Sequence, residues 1–181
     1  MTSRMQETAS PSDKAASAKD LYDEIDLDVL TGAVSYYIRV LNLWVSRDLE
    51  KKLAGLPVVG GTGKISTLFM VKNRPGITAS EIAAFSGKDA PAMTRLVEKL
   101  ITDGLLRREI DPAMRRRQNL YITPEGEDVL VEVRRIVERE PEDAFWMLDK
   151  EEHTQAVRLL RKIASAYLER ETGNFRPRRP R

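Results

Sequence analysis

The segment from Gly76 to Leu106 reads GITASEIAAFSGKDAPAMTRLVEKLITDGLL and contains the start signals of two short helices. Thr78 and Glu81 have the Thr-x-x-Glu spacing of a capping box, in which each side chain satisfies a backbone N–H at the helix start. Isoleucines directly before Thr78 and directly after Glu81 are placed to form a hydrophobic staple. The first helix is therefore predicted to begin at Thr78 and to end at Ser86-Gly87.

A second helix is predicted from about Asp89 to Asp103. Asp89 can cap this helix, Pro91 is tolerated in its first turn, and Gly104 supplies the stop signal. Its apolar residues recur at the spacing of one buried helical face, at Met93, Leu96, Val97, Leu100 and Ile101. Two helices joined by a short turn that contains glycine predict a helix-turn-helix.

Two short strands follow this pair of helices. The runs LLRREI and NLYIT predict strands whose inward-pointing positions are Leu106, Ile110, Leu120 and Ile122. Between them the stretch DPAMRRRQ opens with the turn signal Asp-Pro and carries three consecutive arginines, residues 115–117. A helix-turn-helix followed directly by a hairpin predicts a winged helix, with these arginines on the wing.

Longer helical patterns flank this region. The first helix should run from about Asp26 to Leu53, because apolar residues recur at spacings of three and four, at Leu27, Leu30, Val34, Tyr37, Leu41 and Trp44. A flexible turn, GLPVVGGTGK, separates it from a short helix over Ile65–Asn73. The predicted first helix is longer than one small globular core needs, which indicates association between helices of different chains.

Two further helices are predicted after the wing. One runs from Pro124 to about Arg139, where Pro141 interrupts it, and the last opens at Asp149-x-x-Glu152. The last helix places its apolar residues on one face, at Ala156, Val157, Leu160, Ile163, Ala164 and Tyr167. This second apolar seam supports dimerisation independently of the first.

These patterns predict a fold that is mainly α with a small β wing, in which a winged helix-turn-helix is joined to long helices forming a dimerisation lobe. Residues 62–123 would form the winged helix-turn-helix, and residues 25–57 with 124–171 the helical lobe. Residues 1–24, rich in Ser, Ala, Thr, Asp and Lys, are predicted to be a disordered N-terminal tail. Residues 172–181 are predicted to be a basic, flexible C-terminal tail.

Composition narrows the class of protein. The 181 residues fit one domain, or one domain with a small appendage. The net charge is only +2, but the segment between Lys64 and Thr123 contains eleven Lys and Arg and only six Asp and Glu. This segment is therefore a local basic region. The absence of cysteine excludes disulfides and thiolate sites. No apolar run approaches the roughly 18 residues of a membrane span, and the N-terminus lacks a secretory signal, so we expect a cytoplasmic protein without a membrane partner.

Three chemical alternatives find little support. The stretch GGTGKIS looks like a phosphate-binding loop, but Ile65 follows Gly63-Lys64 where Ser or Thr is required. No Cys nucleophile, Gly-x-Ser-x-Gly elbow or pair of carboxylates in an apolar setting is present, so we expect neither an enzyme nor a cofactor. His153 is the only histidine, which argues against a metal site.

Three motifs, in this order, resemble the MarR family of winged-helix transcriptional regulators. RPGITASEIA resembles the proline-glycine segment that precedes the first helix of the family's helix-turn-helix. MTRLVEKLITDGLLRR resembles the family's recognition helix, which runs into the first wing strand. DPAMRRRQNLYITPEG resembles its wing and the threonine-x-x-glycine start of the next helix. The likeness covers about residues 26–170 and is densest from Lys64 to Gly126.

The resemblance implies an obligate homodimer, joined through the first helix and the last two, that binds a roughly palindromic operator in double-stranded DNA. It also implies control by a small-molecule effector held between two lobes, for which we expect an aromatic acid or its thioester. The expected function is a ligand-responsive regulator, and a repressor rather than an activator. The alternative is a winged helix that serves only as a protein-interaction module, against which the basic wing and Arg95 argue.

DNA contacts are expected from the wing and from the second helix of the predicted helix-turn-helix, here called the reader helix, together with the turn before it. The residues are Lys88, Ala92, Thr94, Arg95, Lys99, Arg115, Arg116 and Arg117. The helix residues would contact base edges and phosphates in the major groove, and the wing arginines the minor groove. The competing interpretation makes these side chains ordinary solvated charges. Of Arg107 and Arg108, which alternate along a strand, at most one is expected to face DNA.

The wing departs from the family pattern at one position. The family usually has Asp-x-Arg here, in which the Asp helps to orient the Arg, whereas this chain has Met114-Arg115-Arg116. Asp111 could substitute from across the turn. Near its start the reader helix has Ala90-Pro91-Ala92 where the family is often rich in Ser and Thr, so direct reading of bases would depend on Thr94 and Arg95.

Effector contacts are expected from the first helix, at Tyr36, Tyr37, Arg39 and Trp44. Aromatic rings could hold an aromatic ligand, and an arginine suits its carboxylate. The competing interpretation assigns Tyr37 and Trp44 to the apolar dimer seam of that helix.

Overall fold

The computed structural model describes residues 25–60, 62–111 and 117–172. The predicted tail 1–24 and nearly all of the predicted tail 172–181 lie outside these ranges, as do Arg115 and Arg116. The described residues divide into two compact units, with the boundary between Val45 and Ser46. None of the helices in the described ranges combines the length and the hydropathy that a bilayer crossing requires.

Helices dominate the described residues, and one antiparallel hairpin accompanies them. The α-helices are α1 (Val34–Lys52), α2 (Thr62–Asn73), α3 (Ala79–Ser86), α4 (Ala90–Thr102), α5 (Pro124–Glu138), α6 (Glu140–Asp143) and α7 (Lys150–Thr172). The hairpin consists of β1 (Leu106–Ile110) and β2 (Gln118–Ile122). The prediction of a mainly α fold with a small β wing is confirmed.

The long first helix begins later than the predicted Asp26. A short 3-10 helix, Asp28–Gly32, comes first, and extended backbone at Ala33 (φ −92°, ψ 102°) separates it from α1. Local hydrogen bonding explains the break, because the backbone N–H of Asp28 donates to Asp26 Oδ1 at 2.8 Å and Asp28 has a positive φ of 50°. Short acidic side chains that bond to nearby backbone compete in this way with helix formation.

The core of residues 46–181 lies where α2, α3, α4, α5 and the hairpin meet. Its buried apolar side chains include Leu53, Leu68, Val71, Ile82, Met93, Val97, Leu100, Leu106, Leu120, Leu130 and Val133. The predicted stripe on α4 is found here, with Leu96 and Ile101 half-buried at its edges. Burial of this stripe fixes which face of α4 is left for solvent.

The predicted caps of α3 and α4 are present. Thr78 and Glu81 form the reciprocal capping box of α3, and Gly87 ends that helix in the left-handed conformation, at φ 64°. Asp89 caps α4 by accepting a hydrogen bond of 2.7 Å from the N–H of Ala92. The turn between the two helices of the predicted helix-turn-helix is therefore set by side chains within a few residues of it.

The helix after the glycine-rich linker starts earlier than predicted, at Thr62 rather than Ile65. Lys64 lies in its first turn, and its amine donates to the carbonyl oxygens of Pro57 (3.0 Å) and Val59 (3.1 Å). These bonds stabilise the linker against the helix start. Lys64, the lysine of the sequence that resembles a phosphate-binding loop, is therefore hydrogen-bonded to backbone carbonyls of its own chain.

The hairpin is joined to the body by a third extended segment. Leu106 pairs with Ile122 and Ile110 with Gln118, while an isolated bridge links Ile77 to Leu120. Leu106 and Leu120 are buried as predicted, but Ile110 is 64% exposed, so its predicted inward position is wrong. It lies on the same face as Leu106, yet at the far end of the strand, beyond the reach of the core.

The connection between α5 and α7 contains a short helix in place of the predicted simple interruption. Pro141 lies in the first turn of α6, where a missing N–H costs nothing. Asp149 and Glu152 then exchange hydrogen bonds of 2.9 Å, as a capping pair at the start of α7. Lys52 at the end of α1 lies 3.1 Å from Asp143 of α6.

Candidate nucleic-acid interface

The solvent-facing side of α4 carries the helix residues predicted to contact DNA. Because Met93, Val97 and Leu100 are buried, the remaining faces present Thr94, Arg95, Glu98 and Lys99, all exposed. Ala92 is half-buried in the first turn. The structure therefore brings Thr94, Arg95 and Lys99 to one exposed helix surface.

Arg95 is the most available cation of this surface. It is exposed, and within the described ranges it forms no hydrogen bond or ion pair. Thr94 is exposed too, but its hydroxyl donates to the carbonyl of Ala90 at 2.9 Å. That bond leaves the oxygen of Thr94 able to accept, so base recognition by Thr94 would use it as an acceptor.

The two predicted lysines have different surroundings. Lys99 pairs at 2.6 Å with Asp103, one turn later on the same helix, so its charge is partly compensated. Lys88, in the turn between α3 and α4, extends over the start of α2, where its Cε would lie 3.2 Å from a Cβ placed on Gly63. Both side chains are exposed enough to turn towards an external phosphate.

Two strand arginines, Arg107 and Arg108, are held by neighbours on the protein. Arg108 Nη2 lies 2.5 Å from Oε1 of Glu98, an ion pair that joins β1 to α4. Arg107 pairs with Glu109 and lies over the ring of Tyr121, with its guanidinium carbon 4.7 Å from the ring centroid. The sequence did not predict the Glu98–Arg108 contact, because the two residues belong to different elements.

Arg117 is the one predicted wing arginine within the described residues. The N–H of Asp111 donates to the carbonyl of Arg117 at 2.9 Å, which closes the hairpin below residues 112–116. The side chain of Arg117 donates from Nε to Oδ1 of Asn119 at 3.0 Å. Its guanidinium also lies 3.9 Å from Glu81 and 4.0 Å from Asp111.

Glu81 connects this part of the wing with the start of α3. It accepts hydrogen bonds of 2.9 Å from both the N–H and the hydroxyl of Thr78, and lies 3.3 Å from Arg74. Burial alone would raise the pKa of this carboxyl, but the bonds from Thr78 and the charges of Arg74 and Arg117 outweigh it and lower the pKa. The capping motif predicted the Thr78 bonds, but nothing in the sequence indicated the arginines.

The predicted effector residues lie on two sides of α1. Tyr37 and Trp44, seven residues apart, share one side, and Tyr36 and Arg39 share another. The rings of Tyr36 and Tyr37 meet edge to face at 5.2 Å, and the hydroxyl of Tyr37 donates to the carbonyl of Thr31 at 3.2 Å. Trp44 is 61% exposed.

A groove of about 690 Å³ lies elsewhere, around the α6–α7 connection, and contains none of those four residues. It is lined by Pro141, Glu142, Trp146, Leu148, Asp149, Lys150, His153 and Thr154. His153 lies edge-on to Phe145, with ring centroids 6.2 Å apart. In the described ranges, no group of three His, Cys, Asp or Glu side chains could hold a metal ion.

Residues 55–117, which include α2, α3, α4 and β1, match the MarR family. This chain carries a MarR family domain. A putative transcriptional regulatory protein for the hcr operon of Thauera aromatica is 29% identical over 134 residues, which cover 74% of this chain and 80% of the relative. The transcriptional regulator HosA of Escherichia coli O111:H- is 28% identical over 96 residues, 53% of this chain and 71% of HosA.

Solved structures agree with the MarR assignment. A crystal structure of MarR is 25% identical with a TM-score of 0.63, and covers 81% of this chain and 96% of that one. The repressor CouR bound to a 23-mer DNA duplex has the same fold, with a TM-score of 0.69 and 23% identity over 78% of this chain and 99% of CouR. The predicted winged-helix fold is confirmed, and the predicted likeness to the MarR family is confirmed by the domain match and by relatives that are transcriptional regulators.

Proposed function

We propose that this MarR-family protein is a ligand-responsive repressor that binds a pseudo-palindromic operator as a homodimer. The exposed surface of α4 is the observation that carries the proposal. Its buried stripe and its Asp89 cap hold the helix in place, while Arg95 projects outward without a partner among the described residues. A fixed helix with an available guanidinium is suited to the major groove.

In this proposal the two parts of the winged helix have separate roles. Arg95 and Thr94 contact base edges, with Ala92 placed to pack on a thymine methyl group, and Lys88 and Lys99 neutralise phosphates. Arg115 and Arg116 of the wing extend into the neighbouring minor groove, whose negative potential attracts them. Half-sites about one helical turn apart would accept the two protomers.

Fluorescence anisotropy with duplexes from the DNA flanking the gene tests DNA binding. Because phosphate contacts release counterions, affinity should fall steeply between about 50 and 200 mM salt. Arg95→Ala should weaken binding by about 5- to 150-fold and reduce the preference for the operator over a scrambled duplex. Arg161→Ala, which removes an exposed arginine of α7, is the matched control.

Two outcomes would contradict the proposal. Affinity that does not depend on salt would argue for the protein-interaction module instead. An Arg95→Ala variant that binds like Arg161→Ala would show that α4 does not read the operator.

The homodimer is supported by apolar side chains that a single chain leaves exposed. On α1 these include Val34 and Leu41, and on α7 Val157, Leu160 and Tyr167, all between 51% and 61% exposed. Apolar side chains that recur along an exposed helix face indicate an interaction surface. A second copy of the chain would remove it from water and would supply the second reader that a palindrome requires.

The effector proposal concerns an aromatic acid or its thioester, bound by Tyr36, Tyr37, Arg39 and Trp44. The exposed Arg39 would pair with the carboxylate, and the aromatic side chains would contact the ring. Thermal unfolding with a panel of aromatic carboxylates and their thioesters should reveal ligands that raise Tm and release DNA. Arg39→Gln should abolish the shift, whereas Arg47→Gln on the same helix should retain it. A panel that stabilises nothing would remove this proposal.

A further inference from the structure

Arg117 occupies a distinctive position at the base of the wing. The bond from the N–H of Asp111 to the carbonyl of Arg117 closes the hairpin, and residues 112–116 lie between these two positions. A side chain at this point can either extend with the wing towards DNA or turn back towards the body. Its contacts distinguish the two.

The guanidinium of Arg117 faces the protein. Its Nε donates to Asn119 at 3.0 Å, and two carboxylates flank it, Glu81 of α3 at 3.9 Å and Asp111 after β1 at 4.0 Å. The Arg117 side chain is 32% exposed and Glu81 only 19%. Partial burial protects such a pair from the salt that screens fully exposed charges.

Glu81 is well suited to hold a partner in place. Two hydrogen bonds from Thr78 fix its carboxylate at the start of α3, and Arg74 approaches it from another side. The adjacent Ile77 forms the bridge to Leu120 of β2. The carboxylate therefore has a defined position relative to both the helix-turn-helix and the hairpin.

We infer that Arg117 is a positioning residue that anchors the base of the wing to Glu81, and that it does not itself contact DNA. The inference rests on the proposed DNA-binding function and refines it. In the family pattern a carboxylate at position 114 helps to orient the wing arginine, but that position is Met here. Arg117 would instead orient the wing from its base. DNA contact by the wing then depends on Arg115 and Arg116.

A double-mutant cycle in the full-length protein tests the anchor. Arg117→Met removes the guanidinium but keeps an unbranched apolar side chain, and Glu81→Gln removes the charge while retaining an acceptor for the capping box. The Glu132–Arg135 pair on α5, at 2.7 Å, provides matched control variants, Glu132→Gln and Arg135→Met.

The first measurement needs no DNA. Hydrogen exchange of the hairpin amides, including that of Asp111, should accelerate about three- to tenfold in either anchor variant and no further in the double variant. Amides of α4, and all amides of the hairpin in the control variants, should be unchanged. Unaltered exchange in both Arg117→Met and Glu81→Gln would overturn the anchor, whether or not the protein binds DNA.

The second measurement is the salt dependence of operator binding. An anchor predicts weaker binding in both single variants, no additivity in the double variant, and an unchanged slope of log Kd against log salt. If Arg117 contacted a phosphate, Arg117→Met would reduce that slope by about 0.9 for each protomer, or about 1.8 for the bound homodimer, while Glu81→Gln would leave binding intact. A reduced slope in Arg117→Met together with intact binding in Glu81→Gln would overturn the inference and leave the proposed function standing. A wild-type protein that binds no DNA would instead remove the proposed function alone.

Discussion

The hydroxyl of Thr67 lies in the core without a partner. Thr67 is fully buried on α2, and its Oγ1 makes no hydrogen bond within the described part of the chain. Burying a hydroxyl in this way costs about 1–3 kcal/mol. Among the single residues of this core, Thr67 is therefore where a more apolar side chain of the same shape should help.

We predict that Thr67→Val raises the free energy of unfolding by about 1 kcal/mol, because it keeps the shape and removes the unsatisfied group. Urea unfolding at fixed protein concentration measures the change. Thr154→Val is the control, since Thr154 is exposed and donates to the carbonyl of Lys150 at 2.8 Å, and it should have little effect. A destabilised Thr67→Val would mean that the hydroxyl is satisfied in solution.

Residues whose partners are close in sequence could be predicted, and those with distant partners could not. Thr78, Glu81 and Asp89 cap helices through backbone groups within three residues, a spacing that is visible in the sequence. The contact between Glu81 and Arg117 depends on how the hairpin packs against α3. Arg117 was therefore predicted only as a wing cation, and its partners emerge from the fold.

At the scale of elements, the start of α5 packs closely against the turn before β1. Thr123 caps the helix by accepting from the N–H of Gly126 at 3.0 Å, and its hydroxyl donates to the carbonyl of Gly104 at 2.7 Å. A Cβ on Gly126 would lie 2.2 Å from the carbonyl oxygen of Leu105 and 2.8 Å from Ile122 Cγ1. Glycine is required here by proximity, in the threonine-x-x-glycine motif that the sequence displays.

Gly126→Ala should therefore lower the free energy of unfolding by about 3 kcal/mol, because backbone must move to admit the methyl group. Thermal or urea unfolding gives the value, and amide exchange should show the loss concentrated in α5 and the hairpin. At Gly32 no described atom lies within 4 Å of the Cβ position, so Gly32→Ala is the control and should change stability by less than about 0.5 kcal/mol. Equal effects of the two substitutions would refute the packing argument.

Element types were more predictable than element ends. Apolar periodicity located every long helix and both strands, because burial of one face imposes it. It could not locate the start of α1, where hydrogen bonds around Asp26 and Asp28 favour a separate 3-10 helix. It also predicted an inward position for Ile110, which is exposed. The alternation of side chains along β1 continues past the end of the core, so an inward register there does not produce burial.

At the scale of the whole molecule, the two long terminal helices remain incompletely buried in a single chain. Neither α1 nor α7 contains a fully buried residue, although both carry the apolar seams that the sequence displays. A seam that its own chain leaves exposed is evidence for a second chain, and an operator with two half-sites would require one. Dimerisation and DNA binding should therefore be lost together.

Leu160→Glu should shift the protein from dimer to monomer, because it places a charge in the middle of the α7 seam, at a side chain that is 53% exposed in one chain. Sedimentation equilibrium gives the mass, and operator affinity should fall about 100-fold or more once the two readers are no longer linked. Ile110→Glu, the same kind of change at an exposed wing residue, is the control for mass and should stay dimeric. A Leu160→Glu protein that remains dimeric would place the interface elsewhere, and a wild-type monomer that binds DNA would separate operator recognition from dimerisation altogether.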